Sequence, residues 1–283
     1  MCWCVADTLL THVVLSYFLR YQLLRNLVED TYTTNGNASV HLLSHSLGGP
    51  YTNLFLVSYV SAAWKAQYIA SHIQLSSPIM GSVPAIEGIL SGPMYDYIPQ
   101  FLPSLIVPAI RSFPSIAWMF PRVYSGYNAW GGAHGPAPNR GTEDPIFIST
   151  PTHNYTLSTL GDLAKAVNAT VIIDQWDRIM EATARSTDDP GVQVLCVYAN
   201  DTRTDLAISL PDDKFDKKGT RLSSTWGDGT VNLESLRACN RWSNVTERPI
   251  KFGGSLAAHT EIVQNDKVIS LVIDWLTGAA SVR

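Results

Sequence analysis

Charged residues are scarce. Asp, Glu, Lys and Arg make up 16% of the 283 residues and leave a formal net charge of −4, so the chain carries no basic footprint for nucleic acid. It also lacks a long apolar run. The longest strongly apolar stretch, residues 101–110, contains Pro103 and Pro108 and is too short to cross a bilayer, so no transmembrane helix is expected. Cysteine is sparse, four in all, and none has zinc-ligand spacing with histidine, so no metal site is expected. The first residues, Met1-Cys2-Trp3-Cys4, offer no basic leader, and Asp7 interrupts the apolar run behind them, so they do not read as a signal peptide.

What is present is enough for one large core or two modest ones, with 46% hydrophobic and 10% aromatic residues. Five Asn-x-Ser/Thr sequons occur, at Asn37, Asn154, Asn168, Asn200 and Asn244. Thirteen asparagines would give roughly two by chance, and the excess points to a secretory or lysosomal route. Cys196 lies in a strand-like run and Cys239 behind a helix-like one. In an oxidising compartment they are the pair to form a disulfide; otherwise each is a small buried apolar residue.

Ser44-His45-Ser46-Leu47-Gly48 sits between the apolar stretch Val40–Leu43 and the helix-like run Tyr51–Leu56. Strand, tight turn and helix make the nucleophile-elbow pattern, with Ser44 in place of the usual first glycine. Its turn pushes the Ser46 hydroxyl out at the head of a sheet. The Leu47 N–H, at the helix start, is the expected oxyanion donor. A serine hydroxyl needs a base, and the base needs a carboxylate, in the chain order Ser, Asp or Glu, His. Gly227-Asp228-Gly229 offers a carboxylate on a tight loop, and His259 follows the last strand-like segment. His41, His45, His12, His72, His134 and His153 are weaker candidates; His45, beside the nucleophile, is expected to point elsewhere.

Helical spacing of Leu15, Phe18, Leu19, Leu23 and Leu27 predicts an amphipathic helix over 8–31. Strands are expected at 39–44, 69–75, 146–148, 192–198 and 250–252. Helices are expected after the elbow to about residue 61, over 159–168, and over 267–276 with Val268, Leu271, Val272, Trp275 and Leu276 on one face. Strands separated by helices imply a mainly parallel sheet, an α/β fold. Residues 81–144 stand apart, with nine of the sixteen prolines and few charges. They are read as an apolar lid or cap between two parts of the core, residues 1–80 and 145–283.

The elbow with Gly49-Pro50 and Ala63-Trp64-Lys65, then Ser77-Pro78-Ile79-Met80-Gly81-Ser82, resembles the lecithin:cholesterol acyltransferase and lysosomal phospholipase family of α/β-hydrolases. So do Pro151–Thr156, Gly227-Asp228-Gly229-Thr230-Val231-Asn232 with Ser235-Leu236, and His259–Ile262. The similarity runs from about Tyr17 to the end. It implies that Ser46 is the acyl-accepting nucleophile, Asp228 the orienting acid and His259 the general base. It further implies that Cys196 and Cys239 form the family disulfide and that residues 91–112 form the lid. The implied reaction moves a fatty-acyl group from a glycerophospholipid, through an acyl-serine, to water or a lipid alcohol such as a sterol. The enzyme would work at a membrane or lipoprotein surface, in a lysosomal or extracellular setting, with no metal or organic cofactor.

The amino-terminal end departs from that family. Only 45 residues precede Ser46, which leaves no room for the early strands of the fold, for the loop with the second oxyanion N–H, or for an amino-terminal membrane-binding portion. The expectation is an incomplete gene model or a fragment of a larger enzyme, with residues 39–44 on an open apolar edge. The alternative function is a catalytically impaired lipid-binding fragment.

Overall fold

The computed structural model describes residues 4–90, 103–123, 127–131, 141–215 and 217–278. Four strands, β1 (Val40–His45), β2 (Ile69–Leu75), β5 (Val194–Ala199) and β8 (Val245–Ile250), pair in that order, every pair parallel. The two-residue period of a strand sorts β5 between two cores. Val194, Cys196 and Tyr198 enter the larger cluster, while Leu195 and Val197 enter a smaller one under the last helix. Both faces of β5 are buried, as expected of a parallel sheet with helices on both sides.

Helices cover the two faces. On one lie α1 (Cys4–Thr34), α2 (Gly48–Leu54) running into a π-helical turn (Phe55–Tyr59), and α3 (Ala62–Tyr68). On the other lies α12 (Asp266–Thr277), packing Val268, Leu271, Val272 and Trp275 against Ile73, Leu75, Leu195 and Val197. Ile269, Ile273 and Leu276 remain exposed. Leu276 thus departs from its expected place on the buried face.

The buried face of α1 is also not the expected one. Tyr21 and Val28 are buried, with Tyr21 among the rings of Tyr51, Phe55 and Tyr59, whereas Leu19, Leu23 and Leu27 face out. A helix turns inward the face that finds partners. Here the partners are aromatic, and Trp64 adds an indole N–H bond to Glu29, 2.7 Å. Phe18 and Leu15 lie outside the described side chains. Among the described strands β1 pairs with β2 alone, and Leu43 on this edge is 56% exposed.

A second sheet was not expected. It has the order β4 (Asn154–Thr156), β3 (Ile146–Ser149), β6 (Thr202–Ser209), β7 (Thr220–Gly227), with β3–β6 parallel and the outer pairs antiparallel. The strand expected at 146–148 therefore forms but leaves the parallel sheet. The strand expected at 250–252 forms earlier, as β8. In the proline-rich stretch, α4 (Val83–Leu90), α5 (Pro103–Arg111) and α6 (Pro114–Ala117) are short helices. Arg111 donates to the carbonyls of Ile89 and Leu90, closing the end of α4. Residues 91–102 of the expected lid lie outside the described residues.

Candidate active site

β1 ends in a turn where Ser46 takes φ +54°, a left-handed conformation that a non-glycine residue adopts only under local constraint. Its N–H bonds the Leu75 carbonyl of β2 at 3.0 Å, and its own carbonyl accepts from Gly49 at 2.9 Å. The elbow's tightest approach is at Gly49, where a Cβ would lie 1.9 Å from Ser77 Oγ; at Gly48 the nearest atom would be Ser44 Cβ at 3.6 Å, ordinary contact. This is why serine is tolerated at position 44. Its hydroxyl lies 2.8 Å from His72 Nε2 and 3.3 Å from the Ile73 carbonyl, while Gln74 Nε2 is 3.2 Å from His72 Nδ1. The set closes if Gln74 donates to Nδ1, Nε2–H to Ser44, and the hydroxyl to the carbonyl. Full burial holds His72 neutral by driving its pKa down to about 3.

Asp228 follows β7 of the second sheet, not a strand of the parallel one. The long excursion between β5 and β8 brings it back over the first sheet. Gly229 permits the turn at φ +90°, and a Cβ there would meet the Leu256 carbonyl at 2.6 Å, so the acid-bearing loop lies flush on the loop before His259. Two threonines of β6 fasten both loops: Thr204 Oγ1 accepts from Gly229 N at 3.0 Å, and Thr202 Oγ1 donates to the Ser255 carbonyl at 2.8 Å.

The three side chains meet. His259 Nε2 stands 2.9 Å from Ser46 Oγ, and His259 Nδ1 stands 2.8 Å from Asp228 Oδ2. Asp228 Oδ1 accepts from the backbone N–H groups of Thr230 and Val231, at 3.0 and 2.6 Å. Asp228 and His259 are buried, whereas Ser46 is half-buried. A buried carboxylate on Nδ1–H leaves Nε2 free to accept a proton, and Nε2 faces the hydroxyl of the half-buried Ser46. This geometry is suited to turning an alcohol into a nucleophile.

The other sequence-derived positions fall as follows. Leu47 directly follows Ser46 at the start of α2. Cys196 on β5 and Cys239 on a 3₁₀ turn (Arg237–Arg241) form a disulfide, both buried. Asn37, Asn154, Asn168 and Asn244 are exposed; Asn200 is half-buried, with its Oδ1 shut off from solvent and without a hydrogen-bond partner among the described residues. His41 bonds Ser71 and His153 bonds Thr152, away from the three. His45 corrects its expectation: it turns toward the site, with Nε2 2.7 Å from the His259 carbonyl. No described residues form a cluster of three or more His, Cys, Asp or Glu able to hold a metal, and no described helix is long and apolar enough to cross a membrane.

A mainly parallel sheet flanked by helices, with an elbow serine, makes this an α/β-hydrolase-type fold. The family model for lecithin:cholesterol acyltransferase matches residues 16–189, and the chain belongs to that family. It is 29% identical to the human lysosomal phospholipase A and acyltransferase over 271 residues, 93% of this chain and 58% of the relative. Identity is also 29% to the Gallus gallus phosphatidylcholine-sterol acyltransferase, over 81% of this chain and 51% of the relative. The Arabidopsis thaliana lecithin-cholesterol acyltransferase-like 1 is again 29% identical, over 93% and 56%. The chain thus spans a little over half the length of the curated relatives it matches.

Proposed function

We propose that this polypeptide is a serine-dependent lipid acyl hydrolase or O-acyltransferase, with Ser46 as nucleophile, His259 as general base and Asp228 as orienting acid. The observation that carries the reading is the unbroken line from Ser46 Oγ through the His259 ring to Asp228. His259 Nε2 takes the Ser46 proton as Oγ attacks the acyl carbonyl carbon of a glycerophospholipid. The tetrahedral oxyanion is met by the Leu47 N–H. Collapse breaks the ester bond; the departing lysophospholipid oxygen takes the proton from His259 and an acyl-Ser46 remains. Water or a lipid alcohol then gives a proton to His259 and attacks the acyl carbon; collapse breaks the bond to Ser46 Oγ, which takes the proton back from His259 as the fatty acid or acyl ester leaves.

Membership in a family whose relatives carry the names phospholipase A and sterol acyltransferase supports a phospholipid donor. A lysosomal or extracellular setting and action at a lipid surface belong to the same reading. So does a cap formed by residues 81–144 over an acyl pocket between core parts 1–80 and 145–283, and so do glycans on the exposed sequons.

A fluorophosphonate probe tests the chemistry directly. Labelling is expected at Ser46, and is expected to vanish in Ser46→Ala; absence of labelling in a folded wild-type chain refutes the reading. Phosphatidylcholine vesicles with and without sterol, assayed for free fatty acid and steryl ester, then separate hydrolysis from transfer.

A further inference from the structure

His45 takes no part in the acyl transfer itself, yet its side chain ties the nucleophile elbow to the backbone of the base. We propose that His45 is a positioning residue for His259: it holds the backbone of the general base in register with the adjacent nucleophile. This role rests on the acyl-serine reading and deepens it.

A carbonyl oxygen can only accept, so the 2.7 Å contact from His45 Nε2 to the His259 carbonyl requires the proton on Nε2. Burial, the largest influence, lowers the pKa of His45, which favours the neutral ring with one N–H. The His259 N–H donates to the Asp228 carbonyl at 3.2 Å. The peptide groups on both sides of the His259 Cα are therefore held, one by the acid's backbone and one by His45, while its ring is held at both nitrogens.

The need for such a hold is visible in the loop. Between β8 and the short α11 (Ala258–Glu261) stand Gly253 and Gly254, at φ +68° and +80°, which leave the connection conformationally permissive. Thr202 of β6 fastens this loop at the Ser255 carbonyl, and the Asp201 carboxylate fastens its start by accepting from the N–H groups of Phe252 and Gly253. From the nucleophile's strand, the His45 side chain bonds the His259 backbone. His45 precedes Ser46 in the chain, and β1 is itself fixed on its opposite face by the bond between Ser44 and His72. Donor and nucleophile are thus neighbours at the end of one fixed strand, and the His45 bond joins the two Asp228 bonds in setting the 2.9 Å spacing between Ser46 and His259. The two imidazoles lie 5.0 Å apart, centre to centre. A neutral His45 at that distance does not oppose the positive charge His259 gains in each proton transfer.

The test compares wild type, His45→Gln and His45→Leu, each with its melting temperature and its second-order rate of Ser46 labelling by the fluorophosphonate. Glutamine retains an N–H that reaches the carbonyl; leucine retains bulk alone. Labelling is expected to slow by about 10- to 100-fold in H45L, the order that small misplacements of reacting groups cost, and to recover most of the way in H45Q. Equal labelling rates in wild type and a folded H45L overturn the proposal, as does failure of H45Q to rescue. If wild type itself is not labelled, the acyl-serine reading falls first, which is a distinguishable result. Should H45L not fold, histidine ¹⁵N spectra of the wild type decide: an Nε2–H tautomer at His45, assigned through H45Q, supports the bond, and an Nδ1–H tautomer overturns it.

Discussion

Gly49 shows how little freedom the elbow leaves. A Cβ there would overlap Ser77 Oγ at 1.9 Å and Ser77 Cβ at 2.5 Å, and both atoms stand on the first turn after β2. Gly49→Ala must push the start of α2 away from the turn after β2, a strain of about 2 kcal/mol on the scale of overpacked cores. Ser77 Oγ is buried and has no hydrogen-bond partner among the described residues, so removing the hydroxyl breaks no hydrogen bond to them. Ser77→Gly alone is expected to cost about 0.5–1 kcal/mol in backbone freedom. Together the two changes are expected to cost less than their sum, because S77G vacates the space that G49A needs. Urea unfolding of the two single variants and the double variant measures this coupling, and strict additivity would show that the contact is relieved elsewhere. The elbow's serine, the glycine-flanked aspartate and the late histidine are legible in sequence because each sits in a short pattern with a fixed order. His45, Thr202 and Thr204 are not. Their partners lie far away in the chain, and no local pattern distinguishes a threonine that ties two loops from one on a surface.

Among elements, legibility follows burial. The strand expected at 69–75 forms as Ile69–Leu75, and it is buried along nearly all its length. β6 and β7 carry no clear strand signature in the sequence because Thr202–Ser209 and Thr220–Gly227 mix polar with apolar residues. β8 is an edge strand, so Thr246, Glu247 and Pro249 are allowed in it, and the apolar pair Ile250 and Phe252 drew the expected strand too far along. Two elements also carry opposite pH dependences. His72 on β2 is held neutral with a pKa near 3, so the unfolded chain binds its proton first as pH drops below about 6.5. Stability from this group is complete above that range and is lost between pH 6.5 and 3. Glu87 on α4 is pushed the other way, to about 7, by burial first and then by Asp205, against the pull of Lys218 and Arg221. Its folded form keeps the proton while the unfolded form ionises near 4.5, so its contribution is complete in acid and is lost as pH rises through 7. His72→Gln is therefore expected to gain on wild type as pH falls, on the order of 2 kcal/mol by pH 5 before any lost hydrogen bond is counted. Glu87→Gln is expected to gain as pH rises, on the order of 1 kcal/mol by pH 8 after solvent screening. Unfolding of both variants at pH 5 and pH 8 checks the two signs, and slopes of the same sign would refute the assignment.

At the scale of the whole molecule, the chain leaves the parallel sheet after β5, builds β6 and β7, delivers Asp228, and returns as β8. The disulfide joins Cys196, at the start of that excursion, to Cys239, close to its end. Closing a loop with a sequence separation of 43 residues stabilises by about 4 kcal/mol in the chain-entropy account. The bridge is well placed to keep the excursion folded, but it does not aim the carboxylate. Aim comes from nearer bonds: Gly229 on Thr204, Met80 N–H on Ser235 Oγ, Val83 N–H on Asn232 Oδ1, and the Asp228 turn closed by Thr230 and Val231. Stability and site geometry are accordingly expected to separate in a Cys196→Ala, Cys239→Ala double variant. Its unfolding free energy should fall by about 3–4 kcal/mol, with two thiols truncated and one loop freed. At a temperature where it remains folded, its Ser46 labelling rate should stay within a few-fold of wild type. A large fall in that rate, with circular dichroism unchanged, would mean that the covalent link and not the threonine and asparagine bonds sets the position of Asp228.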